Sequence, residues 1–184
     1  MGNPLRDLCT PSELAASGQL IEIAEKISSF DHLVRIIETD LLALDPARLP
    51  PNWRDAVVAG QLSFGVADAL GGLVVLDGQV AVTVDMVCQR CLQPVRIPLA
   101  TELRFVFADQ QHSAGEYGDY EVWELQEETL RPADVVQEAL TMVMPLVAMH
   151  VESADCSELQ VVEDGKEETI RPFAALKKQM ERED

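Results

Sequence analysis

Apolar and polar positions along the chain form a β-rich middle framed by shorter helical patterns. "TPSELAASG" predicts a short helix. Thr10 is placed to cap it, Pro11 suits its first turn, Glu13 sits where a capping-box carboxylate reaches back, and Gly18 can close it. "LIEIAEKI" alternates as a strand does, whereas "SFDHLVRIIETDLLAL" is ambiguous between helix and strand. "LPPNW" reads as a linker. From Trp53 the period is two, through "DAVVAGQLSFGVAD", "GLVVLDGQVAVTVDMVC" and "VRIPLATELRFVFAD". "LGG" is a turn between the first two runs, and Asp77-Gly78 is a second turn or a bulge. "QQHSAGEYGDY" is a polar loop and "YEVWEL" a further short strand.

"RPADVVQEALTMVMPL" carries the clearest helical period. Pro132 fits its first turn, Val136, Leu140 and Val143 share a face, Val147 continues that spacing, and Pro145 ends the helix. Consecutive runs joined by short turns favour neighbours in space. The expected fold is α+β: an antiparallel meander packed with a few helices and followed by a mobile acidic tail. Residues 1–52 form an N-terminal helix and strand segment, 53–150 the β-rich core with its closing helix, and 151–184 the tail. The tail holds the acidic stretch "SELQVVEDGKEET" and closes with "RPFAALKKQ", a short amphipathic helix candidate.

Charge narrows the function. The 184 residues carry 32 acidic and 14 basic side chains, a net charge of -18. Residues 1–100 hold 12 acidic and 7 basic groups, and residues 101–184 hold 20 and 7, so the excess lies in the second half. Polyphosphate repels such a surface, which argues against direct RNA binding and for basic partners. The start, "MGNPLRDLC", has neither the apolar stretch of a signal peptide nor the Ser or Thr of a myristoylation signal. No apolar run is long enough to cross a bilayer, and "LGGLVVLDGQVAV" is interrupted by Gly and Asp. A cytoplasmic protein with reduced cysteines is expected.

Familiar catalytic motifs are missing: no phosphate-binding Gly-rich loop and no Gly-x-Ser-x-Gly elbow occurs. His32, His112 and His150 are far apart in sequence. What remains is "VCQRCLQPV", with Cys88 and Cys91 between two strand patterns. A redox pair would want a helix N-terminus at the first thiol, and a strand precedes it instead. A metal knuckle would want two more ligands, and "MHVESADC", after the long helix, supplies His150 and Cys156, a set that suits zinc. The third reading is two small, packed residues in a tight hairpin. Cys9 has no motif around it.

A second candidate is "EYGDYEVWELQEE", with six carboxylates and no basic residue. Tyr117, Tyr120 and Trp123, interleaved with Glu121 and Glu124, could receive Lys and Arg of a partner by charge and cation–π contact. The plainer reading is an exposed face whose Trp123 packs inward.

The order of these motifs resembles one family. A β-rich middle ends in "VTVDMVCQRCLQPV", a strand ends in "FVF", an acidic strand follows, and then come "ADVVQEALTMVMPLVAMH", Cys156 and "RPFAALKK". From about Trp53 to Lys178 the chain is similar to the YceD family, the large ribosomal RNA subunit accumulation proteins of bacteria and plastids. The resemblance implies a non-enzymatic role in synthesis, processing or stability of 23S ribosomal RNA. Genes of the family often lie beside that of a small basic ribosomal protein. The family's Cys-x-x-Cys carries over onto Cys88 and Cys91 and its later Cys onto Cys156. Some relatives have a fuller set of cysteines in that later region, whereas this chain has one, with His150 as the only obvious fourth ligand, and Arg171 stands where the usual tail motif has Asn. With a charge of -18 the expected partner is a basic ribosomal protein or assembly factor, held until it meets RNA. Two alternatives are an acidic nucleic-acid mimic that inhibits a ribonuclease, and a thiol-dependent enzyme using the Cys pair.

Overall fold

A computed structural model describes residues 3–108, 117–125, 127–152 and 156. The first helix, α1 (Pro11–Ser17), starts at the expected capping box. The Thr10 hydroxyl accepts from the Glu13 amide at 3.2 Å, and the Glu13 carboxylate accepts from the Thr10 amide at 2.8 Å. Strand β1 (Leu20–Lys26) follows, and the ambiguous segment resolves as helix α2 (Asp31–Leu41). Its Leu33, Ile37 and Leu41 recur every fourth position and are all buried.

The sheet continues with β2 (Val57–Ala67), β3 (Leu73–Val87), β4 (Pro94–Ala108) and β5 (Glu121–Glu124), ordered β1-β2-β3-β4-β5. The first four strands are an antiparallel meander. The fifth corrects the all-antiparallel expectation: it runs parallel to β4, with Phe105 opposite Glu121 and Ala108 opposite Glu124. A parallel return needs a connection of about a dozen residues, and the stretch 109–120 is long enough to bring the chain back to the level of Phe105.

Asp77-Gly78 is neither turn nor bulge. Both residues lie inside β3 in unbroken register, Gly78 opposite Leu62 of β2 and Leu103 of β4. Glycine is there because β2 crosses closely: a Cβ on Gly78 would stand 2.6 Å from the Gln61 carbonyl oxygen and 2.9 Å from Leu62 Cδ2. The turn at "LGG" is present, with Gly71 and Gly72 at φ 73° and 81°.

One face of the sheet carries Ile21, Leu62, Leu76, Val84 and Leu103 into a core closed by α2 and by α3 (Pro132–Met142) through Val136 and Leu140. The other face is exposed and polar, with Gln61, Ser63, Asp77, Gln79, Glu102 and Arg104. Helix α3 stops at Met142, short of Pro145, and this corrects the longer helical stripe. Pro145 disfavours helical backbone at Met144, so the helix closes earlier, with Val143 at its cap and Val147 half-exposed. Among the described residues no helix is long and apolar enough to cross a membrane. Most of the tail, including its "RPFAALKKQ" segment, and most of the "QQHSAGEYGDY" loop lie outside the described residues.

Candidate metal centre

Strands β3 and β4 pair to their ends, Val87 opposite Pro94, so the Cys-x-x-Cys segment is the loop of a long hairpin. The Cys88 amide donates to the Gln93 carbonyl at 2.9 Å, and the Leu92 amide donates to the Cys88 carbonyl at 2.8 Å. Two ties fix this loop to the body. Asp40 of α2 accepts a hydrogen bond from the Val87 amide at 2.7 Å. The Gln89 amide donates to the carbonyl of buried Ala148 at 2.9 Å, which holds the segment after α3 against the hairpin. Asp40, Gln89 and Ala148 were not foreseen, since no local pattern marks contacts between residues so far apart in sequence.

Closing the loop places Leu92 at φ 53°, the only described non-glycine residue in the left-handed region, with its side chain largely exposed. Relief of about 1–2 kcal/mol of steric cost, less roughly 0.5–1 kcal/mol for the greater chain freedom of glycine, favours Leu92→Gly. Its expected effect is a melting temperature raised by roughly 2 °C. A lower melting temperature would show that Leu92 contributes packing that outweighs its backbone.

The loop and the segment after α3 bring Cys88, Cys91, His150 and Cys156 together, their ligand atoms all within 4.8 Å of one another. Cys88 Sγ is 4.0 Å from Cys156 Sγ. His150 Nδ1 is 3.6 Å from both Cys91 Sγ and Cys156 Sγ. A tetrahedral ion with bonds of about 2.3 Å to sulfur and about 2.0–2.1 Å to nitrogen separates two sulfurs by about 3.8 Å and sulfur from nitrogen by about 3.6 Å. The quartet therefore fits one ion with modest contraction.

The electrostatics are uneven. Burial pushes the Cys88 thiol up, but hydrogen bonds from the backbone of Cys91, His150 and Arg90 and from the His150 ring outweigh it and bring its pKa down to about 5. Cys156 is raised by burial and by its hydrogen bonds to Cys91 and Cys88. The Arg90 guanidinium lies 3.8 Å from Cys156 Sγ and 3.9 Å from Met149 Sδ, a positive group at the rim of a thiolate cluster. Cys9 is elsewhere, in a bridge with Leu130.

The aromatic–acidic segment is placed differently. Trp123 is half-buried with its ring edge-on to Phe105, centroids 5.1 Å apart. The Tyr120 hydroxyl donates to the Asp77 carboxylate at 3.0 Å, and Tyr117 is half-buried. Glu121 and Glu124 are exposed. The rings of Tyr120 and Trp123 thus serve internal contacts first, and the carboxylates face outward.

A family model described as large ribosomal RNA subunit accumulation protein YceD matches residues 76–178, more than half of the chain. The match begins inside β3 rather than at Trp53, and it spans the hairpin, α3 and all four clustered side chains. No curated protein and no solved structure gives a match.

Proposed function

The chain belongs to the family of large ribosomal RNA subunit accumulation proteins, and from that premise we propose that it supports synthesis, processing or stability of 23S ribosomal RNA without catalysis, in the cytoplasm, by holding a basic ribosomal protein or assembly factor. Unbalanced charge is the observation that carries this reading. Five of the nine described basic side chains are engaged in surface ion pairs, Arg6–Glu25, Lys26–Asp55, Arg54–Glu38, Arg104–Asp119 and Arg131–Asp134. The surplus carboxylates are left to face partners. Phosphate backbones are repelled by such a surface, whereas a basic protein is drawn to it.

The four clustered side chains hold zinc in this reading, as a structural tie between the β3–β4 hairpin and the segment after α3. Three sulfurs and one imidazole are a preferred structural set for that ion. Cys88 is fully enclosed, so its low pKa suits a ligand ready to receive a cation better than a nucleophile that must reach a substrate.

Affinity capture from lysate on the full chain tests the partner. The expected result is recovery of a basic large-subunit ribosomal protein or assembly factor at low salt and its release at high salt. In parallel, naked large-subunit ribosomal RNA should bind no better than to a neutral control protein at physiological salt. Tight, salt-sensitive binding of RNA alone would overturn the proposal.

A further inference from the structure

Strand β5 ends the sheet, and among the described residues no strand pairs with its outer side. Between it and α3 runs a groove of about 540 Å³. Its apolar lining includes Phe105, Trp123, Leu130 and Met142. Its rim is acidic on both sides. Glu121 and Glu124 come from β5, Glu127 from the segment that follows, and Asp134 and Glu138 from α3. Asp134, Glu138 and Met142 are four residues apart, so one stripe of the helix forms that wall. All five carboxylates are exposed, and no lysine or arginine lines the groove. Arg131 lies 3.9 Å from Asp134, an exposed pair, and among the described residues no ion pair involves Glu121, Glu124, Glu127 or Glu138.

Resting on the proposed role as holder of a basic partner, we infer that this groove docks an extended lysine- and arginine-rich segment of that partner, added as a sixth strand along β5. Each part of the geometry selects one property of the occupant. The free backbone edge of β5 offers hydrogen bonds to an extended chain, which a helix would leave unmade. The period of two along such a chain sends alternate side chains toward α3, where basic head groups meet Asp134 and Glu138 and their aliphatic stems meet Trp123 and Met142, while the intervening side chains face the other way. Four carboxylates without a described ion pair, with Asp134 beside Arg131, surround an apolar floor; their net charge repels phosphate and attracts ammonium and guanidinium groups, which selects a protein segment over RNA. The mode was not legible in the sequence, because Asp134 and Glu138 reach β5 only through the packing of α3.

The probe is an acetylated ten-residue peptide alternating lysine and valine, titrated into the full chain and followed by backbone amide resonances. Shifts centred on residues 121–125 and 134–142 are expected, with binding that weakens as salt rises. The Glu121→Gln, Glu124→Gln, Glu138→Gln variant should lose about tenfold in affinity, the sum of three exposed charge pairs. The Asp7→Asn, Glu22→Gln, Asp68→Asn variant, which removes equal charge elsewhere on the exposed surface, should stay within about twofold. A peptide N-methylated at alternate residues keeps its charge but cannot complete the strand, and it should also lose about tenfold or more. Equal weakening by both charge variants would reduce the contact to net charge and overturn the site. Unchanged binding of the methylated peptide would overturn strand addition in favour of another conformation. The two readings fail separately. A basic protein captured undiminished by the groove variant sinks the groove and leaves the function standing, whereas peptide binding without any basic protein in the lysate capture does the reverse.

Discussion

Protein purified without chelator should carry close to one zinc ion per chain, and stripping that ion should lower the melting temperature by roughly 10 °C. The magnitude follows from linkage. Free metal at a thousand times its dissociation constant stabilises a folded state by about 4 kcal/mol. A chain of this length shifts its melting temperature by about 2–4 °C for each kcal/mol. The effect is bounded because the core of β1–β4, α2 and α3 does not depend on the ion. What the ion supplies is the tie between the β3–β4 hairpin and the segment bearing His150 and Cys156. Cys156→Ser should lose the metal and melt with the stripped protein. His150→Ala should retain a weaker site of three sulfurs.

Proton competition gives the same site a pH signature. Cys88, with a pKa near 5, is a thiolate at neutral pH, while the raised Cys156 must surrender a proton when metal arrives. A thiol whose folded pKa is depressed stabilises the fold above its unfolded value, and that contribution is lost as pH falls through about 5. Cys156 holds its proton more firmly as pH falls, which weakens metal binding, so the melting temperature of the loaded protein should converge on that of stripped protein as pH is lowered from 7 toward 5. Less than about a tenth of a zinc per chain in wild type and in the Cys88→Ser and Cys156→Ser variants alike would rule out the site as a tight metal centre, and Cys88 and Cys91 would then be packed thiols in a turn.

How far such features could be read from the chain depended on how local their causes are. The capping box at Thr10 and Glu13 is complete within four residues, so nothing distant could alter it. The antiparallel pairing of β2, β3 and β4 follows from a period of two and short connections, whereas that of β1 with β2 spans α2 and the linker and has no local cause. The direction of β5 has none either, because it depends on where residues 109–120 lead the chain. Asp77-Gly78 looks like a turn to any local rule, and only the close passage of β2 explains a glycine in mid-strand. At the candidate centre the Cys-x-x-Cys spacing was legible, and His150 and Cys156 were legible as donors just beyond a helix. Arg90 lay within the motif but had no recognisable role until Cys156 stood beside it. The acidic groove was half legible: the β5 carboxylates stood out in sequence, and the α3 wall did not.

A contrast within α3 carries the second large effect. Leu140 is fully buried, whereas Met142, two residues on, is 70% exposed. Leu140→Ala should cost about 3 kcal/mol, the usual penalty for an unfilled cavity at an enclosed site. That corresponds to a fall of roughly 6–12 °C in melting temperature. Met142→Ala should stay within about 0.5 kcal/mol of wild type, because little of its surface leaves water on folding. Function should divide the opposite way. Met142 lines the groove, so its truncation should weaken the lysine–valine peptide. Leu140 faces α2 and the sheet, so its truncation should leave both peptide and zinc bound below the new melting temperature. Zinc is retained in that variant because the hairpin is held independently, by Asp40 at Val87 and by Ala148 at Gln89. Urea melts of the two variants decide the matter. A cost below about 1 kcal/mol for Leu140→Ala would mean that α3 is not packed as described, and the groove wall it forms would fall with it.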